Sequence, residues 1–513
     1  MSPPEVGATL EAVEAVRPSL QAVLPAFLLA TFGIIALVAD LLEGGTTRGP
    51  AEGEAGLSIA APVLSLIGTV LAMGALGWQA LRYERLAGTW FNGMIVIDGF
   101  GLFVAAVILL ATLLTLLLTV GYCRRQNIEL AEYYHLILMS ATGMLLLVQS
   151  THLVMIFIAL ELMSVSVYVL TGFRRRLPRS VEGALKYFVL GAFSTGFLVY
   201  GIALLYGATG TLDLIEMPAG LAPGEVAPLF VTGAALVLIG LAFKVALVPF
   251  HMWSPDVYEA APSPITGFMA TGVKAAGFAA LARVVVSTFE LVGGRWEPVL
   301  WILAVLTMFV GNVAAIRQDD IKRMLAYSSI AHAGYLVVAV LAHSQLGTAA
   351  FLYYLAAYTL MTLGAFGVVT ILGERGVENT SISRDYAGLG AREPLLGAAM
   401  ALFMFSLTGI PPTAGFFGKF SIFSAAVSAG YVLLAVLMVI ASVISAYYYL
   451  KVVVAMYMRS PERDPIRVGM TALAGVGLLV AIVGTLSLGV FPGGWIELAR
   501  TSADGLGAVG SLP

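Results

Sequence analysis

The stretch LFVAAVILLATLLTLLLTV, residues 102–120, carries no charged side chain along its whole length. A helix needs roughly 20 apolar residues to cross a hydrocarbon layer about 30 Å thick, at a rise of about 1.5 Å per residue. A helix that is apolar all round belongs in a large core or in a bilayer. Comparable runs recur at 302–316, 432–449 and 471–490. The chain as a whole follows the same pattern. Its 513 residues are 59% hydrophobic and 11% charged, with mean hydropathy +0.95. Soluble domains average about 25% charged residues and need that polarity to cover a core. No segment alternates apolar and polar in ten-residue units, as a membrane barrel requires. The fold class is therefore all-α: a polytopic membrane helix bundle.

The apolar runs place about fourteen transmembrane helices, at 19–40, 57–80, 97–121, 133–149, 151–170, 182–207, 228–252, 264–288, 298–316, 324–343, 349–372, 394–424, 428–457 and 468–490. The loops are short, with 41–56 and 208–227 among the longest, so 1–513 reads as one integral membrane domain. The first eighteen residues lack a basic segment followed by a short apolar core, so no cleaved signal is expected. Most of the 27 Lys and Arg lie after odd-numbered spans, including Arg124, Arg125, Arg174, Arg175, Arg176, Arg179, Arg317, Lys322 and Arg323. The positive-inside rule then makes those loops cytoplasmic and puts both termini outside. The net charge of −3 and the lack of a basic arm give no reason to expect nucleic acid. A single cysteine, Cys123, excludes a disulfide framework, a thiolate iron–sulfur site and a zinc ribbon. No metal or cofactor site is expected in the chain.

Six of the Lys and Arg fall within predicted spans, Lys186, Lys244, Lys274, Arg283, Lys419 and Lys451, and Glu161 lies near the middle of span 5. A charge at the bilayer centre costs roughly 2.5–3.5 kcal/mol on insertion scales and usually faces a bundle interior or a water-filled path. Arg283 and Lys451 lie near helix ends, where a long side chain can reach the interface. Lys244, Lys274, Lys419 and Glu161 are too deep for that. A low-dielectric surrounding disfavours a lysine's charged form, and a nearby carboxylate favours it. Opening and closing an ion pair would then make a lysine release or hold a proton. Glu161 and Lys186, on sequential antiparallel spans, suggest such a pair. His332, midway along span 10, stands where it would bridge Lys244 and Lys274 to Lys419 through water. A structural salt bridge for the lysines and a core role for His332 are the competing readings.

Two of these lysines sit on spans that proline interrupts. Span 7 reads LAFKVALVPFHMW (241–253), where Pro249 leaves the carbonyl of Val245 without its usual partner and His251 follows Lys244 by seven residues, on the same helical face. Span 12 reads SLTGIPPTAGFFGKF (406–420), where Pro411 and Pro412 free the carbonyls of Leu407 and Thr408 ahead of Lys419. Broken helices in lipid persist only where protein or water satisfies the backbone. Spans 7 and 12 are five apart and so cross in opposite directions. This suggests two inverted repeats of five helices, 131–290 and 291–458, preceded by leading helices 1–3 in 1–130 and followed by a last helix and outer tail in 459–513.

The stretches ALKYFVLGAFSTGFLVYGIALLYGATGT (184–211), LAFKVALVPFHMWSPDVYEAAPSPITGFMATGVKAAGF (241–278) and RQDDIKRMLAYSSIAHAGYL (317–336) resemble the antiporter-like subunits of respiratory complex I, bacterial NADH-quinone oxidoreductase. The resemblance spans about 90–460 and is nearest to the subunit N branch, since subunit M carries glutamate where Lys419 stands. It implies a proton-translocating membrane subunit in the bacterial cell membrane. Glu161, Lys186, Lys244, His251, Lys274 and Lys419 match the family's relay positions. It further implies NADH, FMN, iron–sulfur clusters and quinone in partner subunits and none bound by this chain. The partners would be antiporter-like subunit M, small membrane subunits such as K, and the lipid bilayer. The alternatives are a subunit of a free-standing multi-subunit cation/proton antiporter, an organic-solute transporter, and a purely structural anchor.

Overall fold

The computed structural model describes residues 19–42, 60–128, 130–221, 228–289, 291, 294–373, 378, 380–461 and 469–507. Expectations about the first eighteen residues and most of the 41–56 loop therefore lie outside the described residues. The helices are α1 (Leu24–Leu42), α2 (Ala60–Leu81), α3 (Gly99–Gln126), α4 (Ala131–Val148), α5 (Leu153–Thr171), α6 (Pro178–Thr209), α7a (Pro228–Lys244), α7b (Trp253–Ala260), α8 (Ser263–Thr288), α9 (Trp296–Ile316), α10 (Ile321–Leu341), α11 (Gln345–Ile371), α12a (Pro394–Thr408), α12b (Ala414–Ser428), α13 (Val432–Met458), α14 (Ala472–Val490) and α15 (Pro492–Gly507). Among the described residues, twelve of these are long and apolar enough to cross a membrane, and α7a, α12a and α12b are shorter apolar pieces. The protein is a multi-pass helical bundle, as the apolar runs require.

Helix starts follow local chemistry. Asp98, Asp320, Ser344 and Thr471 each accept a backbone N–H of the first turn of α3, α10, α11 and α14. Prolines open α6 and α12a, where a missing N–H costs nothing. Two elements were not expected. A hairpin of β1 (Gly88–Trp90) and β2 (Ile95–Ile97) precedes α3, pairing Thr89 with Val96 across a left-handed turn at Phe91–Gly93. The amphipathic helix α15 occupies the region read as an outer tail.

Helices α8, α10 and α11 are buried almost all round and form the bundle axis. Helices α1, α6, α13 and α14 keep one face open, as lipid-facing helices do. Small residues set the closest approaches. A methyl on Gly143 of α4 would lie 2.8 Å from the carbonyl of Ala159 and 2.6 Å from the N–H of Met163 on α5. On Gly311 of α9 it would lie 2.8 Å from the carbonyl of Tyr327 and 2.6 Å from the N–H of Ala331 on α10. The second set repeats the first at an interval of 168 residues throughout: Gly143 to Gly311, Ala159 to Tyr327, Met163 to Ala331. The same interval relates two isolated loop bridges, His152 with Asp213 and Asp320 with Ser381.

Span 7 is broken, as its proline suggests, but the break begins five residues before Pro249. It stops at Lys244, turns through 245–252 with Ala246 at φ +59, and resumes at Trp253. Thr307 accepts the N–H of Val248, and the Trp253 indole donates to the carbonyl of Phe243, so side chains satisfy backbone that the break exposes. Span 12 breaks between Thr408 and Ala414, at its paired prolines.

Candidate proton pathway

Lys244 is the last residue of α7a and is 3% exposed. Its Nζ donates to Ser164 Oγ at 2.8 Å and lies 3.4 Å from the Tyr187 hydroxyl, over the rings of Tyr168 and Tyr187. Ser164 is one turn along α5 from Glu161. Glu161 accepts from Thr195 of α6 at 2.7 Å. A cavity of about 10 Å³ lies between Thr195 and Lys244, lined also by Leu160, Tyr168, Ser194 and Phe243. That is about the room one water needs.

Lys186 does not meet Glu161. It is 44% exposed and pairs with Glu182 at 2.8 Å and Asp256 at 2.9 Å. The cause is helical register. Thr195 is level with Glu161, and Lys186 is nine residues earlier on α6, roughly 13 Å along the axis. Asp256 in turn accepts from Arg323 at 2.8 Å, which also pairs with Glu259 at 2.8 Å. Lys186 therefore joins a charged row on the face that carries the basic loops. His251 lies in the turn between α7a and α7b, half-buried, with Nδ1 unpartnered. The break removes the helical face it was expected to share with Lys244.

Lys274 follows a wide turn of π-type backbone at Met269–Val273 in α8. Its Nζ donates to the carbonyl of Ser329 at 2.7 Å and to the Ser329 hydroxyl. Three residues on, His332 is wholly enclosed, with Nδ1 against the Tyr354 hydroxyl and Nε2 2.9 Å from that of Tyr449. Lys419 of α12b donates to the carbonyls of Leu407 and Thr408 and to Ser442 Oγ, each at 2.9 Å. Those are the two carbonyls that Pro411 and Pro412 release, so the break itself provides acceptors for the ammonium. The three N–H groups of Lys419 find three neutral acceptors. None of the ion pairs among the described residues involves Lys244, Lys274 or Lys419.

Arg283 does not reach the interface. It is 2% exposed and forms two 2.8 Å bonds to Asp98, the α3 cap, and a third to the carbonyl of Val148. Lys451 lies about two turns inside the end of α13 and reaches the turn after α9, donating to the carbonyl of Gln318. The largest feature the sequence reading missed is Glu378, in the loop after α11. It is 8% exposed and accepts from Tyr122, Ser263, Arg174 and Lys322, with Lys322 fully buried. Burial pushes its carboxyl up, but Lys322 and Arg174 outweigh that and hold it at about 2. Lys322 had counted only as a basic loop residue. A loop glutamate 56 positions away in the chain gives no local signal of the pairing.

Residues 150–445 match the family described as NADH:quinone oxidoreductase/Mrp antiporter, TM. NADH-quinone oxidoreductase subunit N of Trichlorobacter lovleyi is 43% identical over 484 residues, covering 94% of this chain and 96% of the relative. Subunit N 1 of Herpetosiphon aurantiacus is 46% identical over 446 residues, covering 85% and 89%. Among solved structures, a chain of respiratory complex I from Thermus thermophilus superposes with TM-score 0.76 at 36% identity, covering 93% of this chain and 99% of that one.

Proposed function

The chain belongs to the NADH:quinone oxidoreductase/Mrp antiporter membrane-subunit family, and from that premise we propose that it conducts protons as the subunit N of a proton-translocating NADH-quinone oxidoreductase. The relay consists of Glu161, Lys244, Lys274, His332 and Lys419, with Lys186 and His251 on the approach to it. The observation that carries this reading is the surroundings of the three deep lysines. Lys244 meets hydroxyls and tyrosine rings, Lys274 a carbonyl and a hydroxyl, and Lys419 two carbonyls, a hydroxyl and a tyrosine ring, and none of the three forms an ion pair among the described residues. A purely structural buried lysine is expected to keep a counter-ion, because an unpaired buried charge is costly. A lysine that gains and loses a proton in turn is better served by neutral groups that solvate both forms.

Electron transfer from NADH to quinone, with FMN and iron–sulfur clusters, belongs to partner subunits in this reading. Subunit M and small membrane subunits such as K are the expected neighbours. The basic loops face the cytoplasm and both termini face outward. The constant interval of 168 residues between equivalent contacts supports two inverted repeats, because five spans per repeat reverse the polarity. The test is Lys244→Ala in membrane vesicles, with proton pumping and quinone reduction recorded together. The expected result is an assembled complex that loses pumping and turns over slowly. Normal pumping at normal turnover would make Lys244 structural and sink the relay.

A further inference from the structure

A cavity of about 230 Å³ opens where α8, α10 and α11 meet α15. Helix α10 starts beside the basic residues Lys322 and Arg323, and the cavity takes in its far end, so it lies on the face opposite the basic loops. One water needs about 10–15 Å³ of such room, so a cluster of waters fits. The mouth is polar: it holds Thr348 and Gln345 from the first turn of α11, and Gln345 donates to Asp504 of α15. The floor is apolar: Ala282 of α8, Ala339 of α10 and Phe351 of α11, each 1% exposed. Among the described residues, none that lines it belongs to α12a, α12b or α13, the elements around Lys419.

Residues three, four and seven apart share one face of a helix, and that register leads from the cavity to the relay on all three helices. On α8 the order is Ala282, Phe278, Lys274. On α10 it is Ala339, Leu336, His332. On α11 it is Thr348, Phe351, Tyr354, and the Tyr354 hydroxyl meets His332 Nδ1. Each helix thus presents a cavity wall, then a large apolar side chain, then a polar group of the relay. At about 1.5 Å per residue, His332 lies roughly 10 Å along the axis from Ala339, and Tyr354 roughly 4.5 Å from Phe351. The middle layer is packed. Phe351 meets Phe278 edge-on at 6.3 Å between ring centres and stacks on Phe100 at 6.0 Å, and Leu336 is wholly buried.

We infer that this cavity is a release vestibule, through which a proton held by Lys274 or His332 leaves for the outer side past a plug of Phe351, Phe278 and Leu336, without travelling on to Lys419. An apolar constriction interrupts a chain of waters, and so of protons, until it is wetted. Phe351 is the part of the plug that moves, because it alone of the three borders the cavity and has room to turn into. A void left by loose packing is apolar and stays dry. This one has a polar mouth, and the Asp504 carboxylate there accepts a proton from the waters and passes it to the bulk. The vestibule rests on reading Lys274 and His332 as proton carriers.

The experiment treats assembled complexes in vesicles with a charged, membrane-impermeant methanethiosulfonate from the outer side. Cys123 is wholly buried, and the parent chain treated alike is the control. Thr348→Cys puts a thiol on the cavity wall. It should react, the reacted complex should pump about tenfold more slowly than the same variant before reaction, and a reductant that removes the adduct should restore it. Phe351→Ala thins the plug and should raise passive proton leak without substrate about tenfold, whereas Phe351→Leu stays sealed. In the double variant Phe351→Ala with Thr348→Cys, the reagent should close the leak, which a merely loosened fold would not allow. A Thr348→Cys thiol that does not react, as in a cavity filled by lipid, overturns the inference. So do a reacted complex that pumps normally, a sealed Phe351→Ala complex, and a leak that the reagent does not close. Should Phe351→Ala fail to assemble, the Thr348→Cys results decide alone. None of these outcomes alters the Lys244→Ala result, since a relay without this vestibule would release its proton elsewhere.

Discussion

Replacing Glu378 by glutamine removes one charge and almost no volume. Its carboxylate lies between Lys322 Nζ and Arg174 Nη2, each 2.9 Å away, and also accepts from Ser263 and Tyr122 at 2.7 Å. Lys322 has no exposed surface and Arg174 is nearly as enclosed. Glu378→Gln leaves two cations facing a neutral amide, and removing one partner of a buried ion pair costs about 3–5 kcal/mol. A second route gives a similar figure. A carboxyl held at about 2 in the folded chain and near 4.5 in the unfolded one contributes roughly 3 kcal/mol near neutral pH. The sign follows from the depression: this stability is fully present above pH 4.5 and is lost as pH falls toward 2. The assay is reversible unfolding of the chain in mixed micelles, followed by tryptophan fluorescence at several pH values. Glu378→Gln should lower stability by about 3–5 kcal/mol near neutrality and flatten the slope between pH 4.5 and 2. Adding Lys322→Met should recover much of the loss, since an apolar isostere removes the orphaned charge. A single variant within about 1 kcal/mol of the parent chain, with the acid slope intact, would refute the reasoning.

Arg283→Leu should destabilise by about 3–5 kcal/mol because it strands Asp98 in a fully buried site, and Asp98→Asn in the same chain should relieve part of it; the same unfolding measurement checks both. Gly143→Ala should cost about 1–3 kcal/mol by forcing α4 away from α5, without changing protons pumped per electron pair in complexes that assemble. Gly311→Ala should cost a similar amount by forcing α9 away from α10, and the same unfolding measurement checks it. Ser442→Ala removes one of three acceptors of Lys419, a bond worth about 1.5–3 kcal/mol when a charge is involved; vesicle assays should show slower pumping with an unchanged KM for quinone.

The sequence determined the class of the molecule, because membrane insertion is decided by local composition. Runs such as 102–120 have no stable place except in a bilayer or a wholly apolar core, and backbone chemistry then leaves only helices. It also located the two breaks, since proline cancels its hydrogen bond wherever the chain later folds. The carbonyls freed at Leu407 and Thr408 follow from Pro411 and Pro412 alone, and the structure shows what uses them. The motifs around Lys244 and Lys274 were legible for the same reason: ionisable residues within apolar runs stand out along the chain.

Tertiary structure alone decided which groups those residues meet. Sequential antiparallel helices pair residues by register, and register depends on loop lengths and packing that no local pattern encodes. Lys186 was therefore expected beside Glu161 but sits about two and a half turns away, held by Asp256. Arg283 looked able to reach the interface, yet Asp98 claims it, at a distance of 185 positions in the chain. The helix break at Lys244, five residues before Pro249, cancelled the shared face expected for His251. Tyrosines and serines gave no signal because neutral polar residues are common in membrane helices and become informative only through their neighbours. A hydrogen bond needs its two atoms placed to within a few tenths of an ångström, and in this chain those atoms come from helices more than a hundred residues apart.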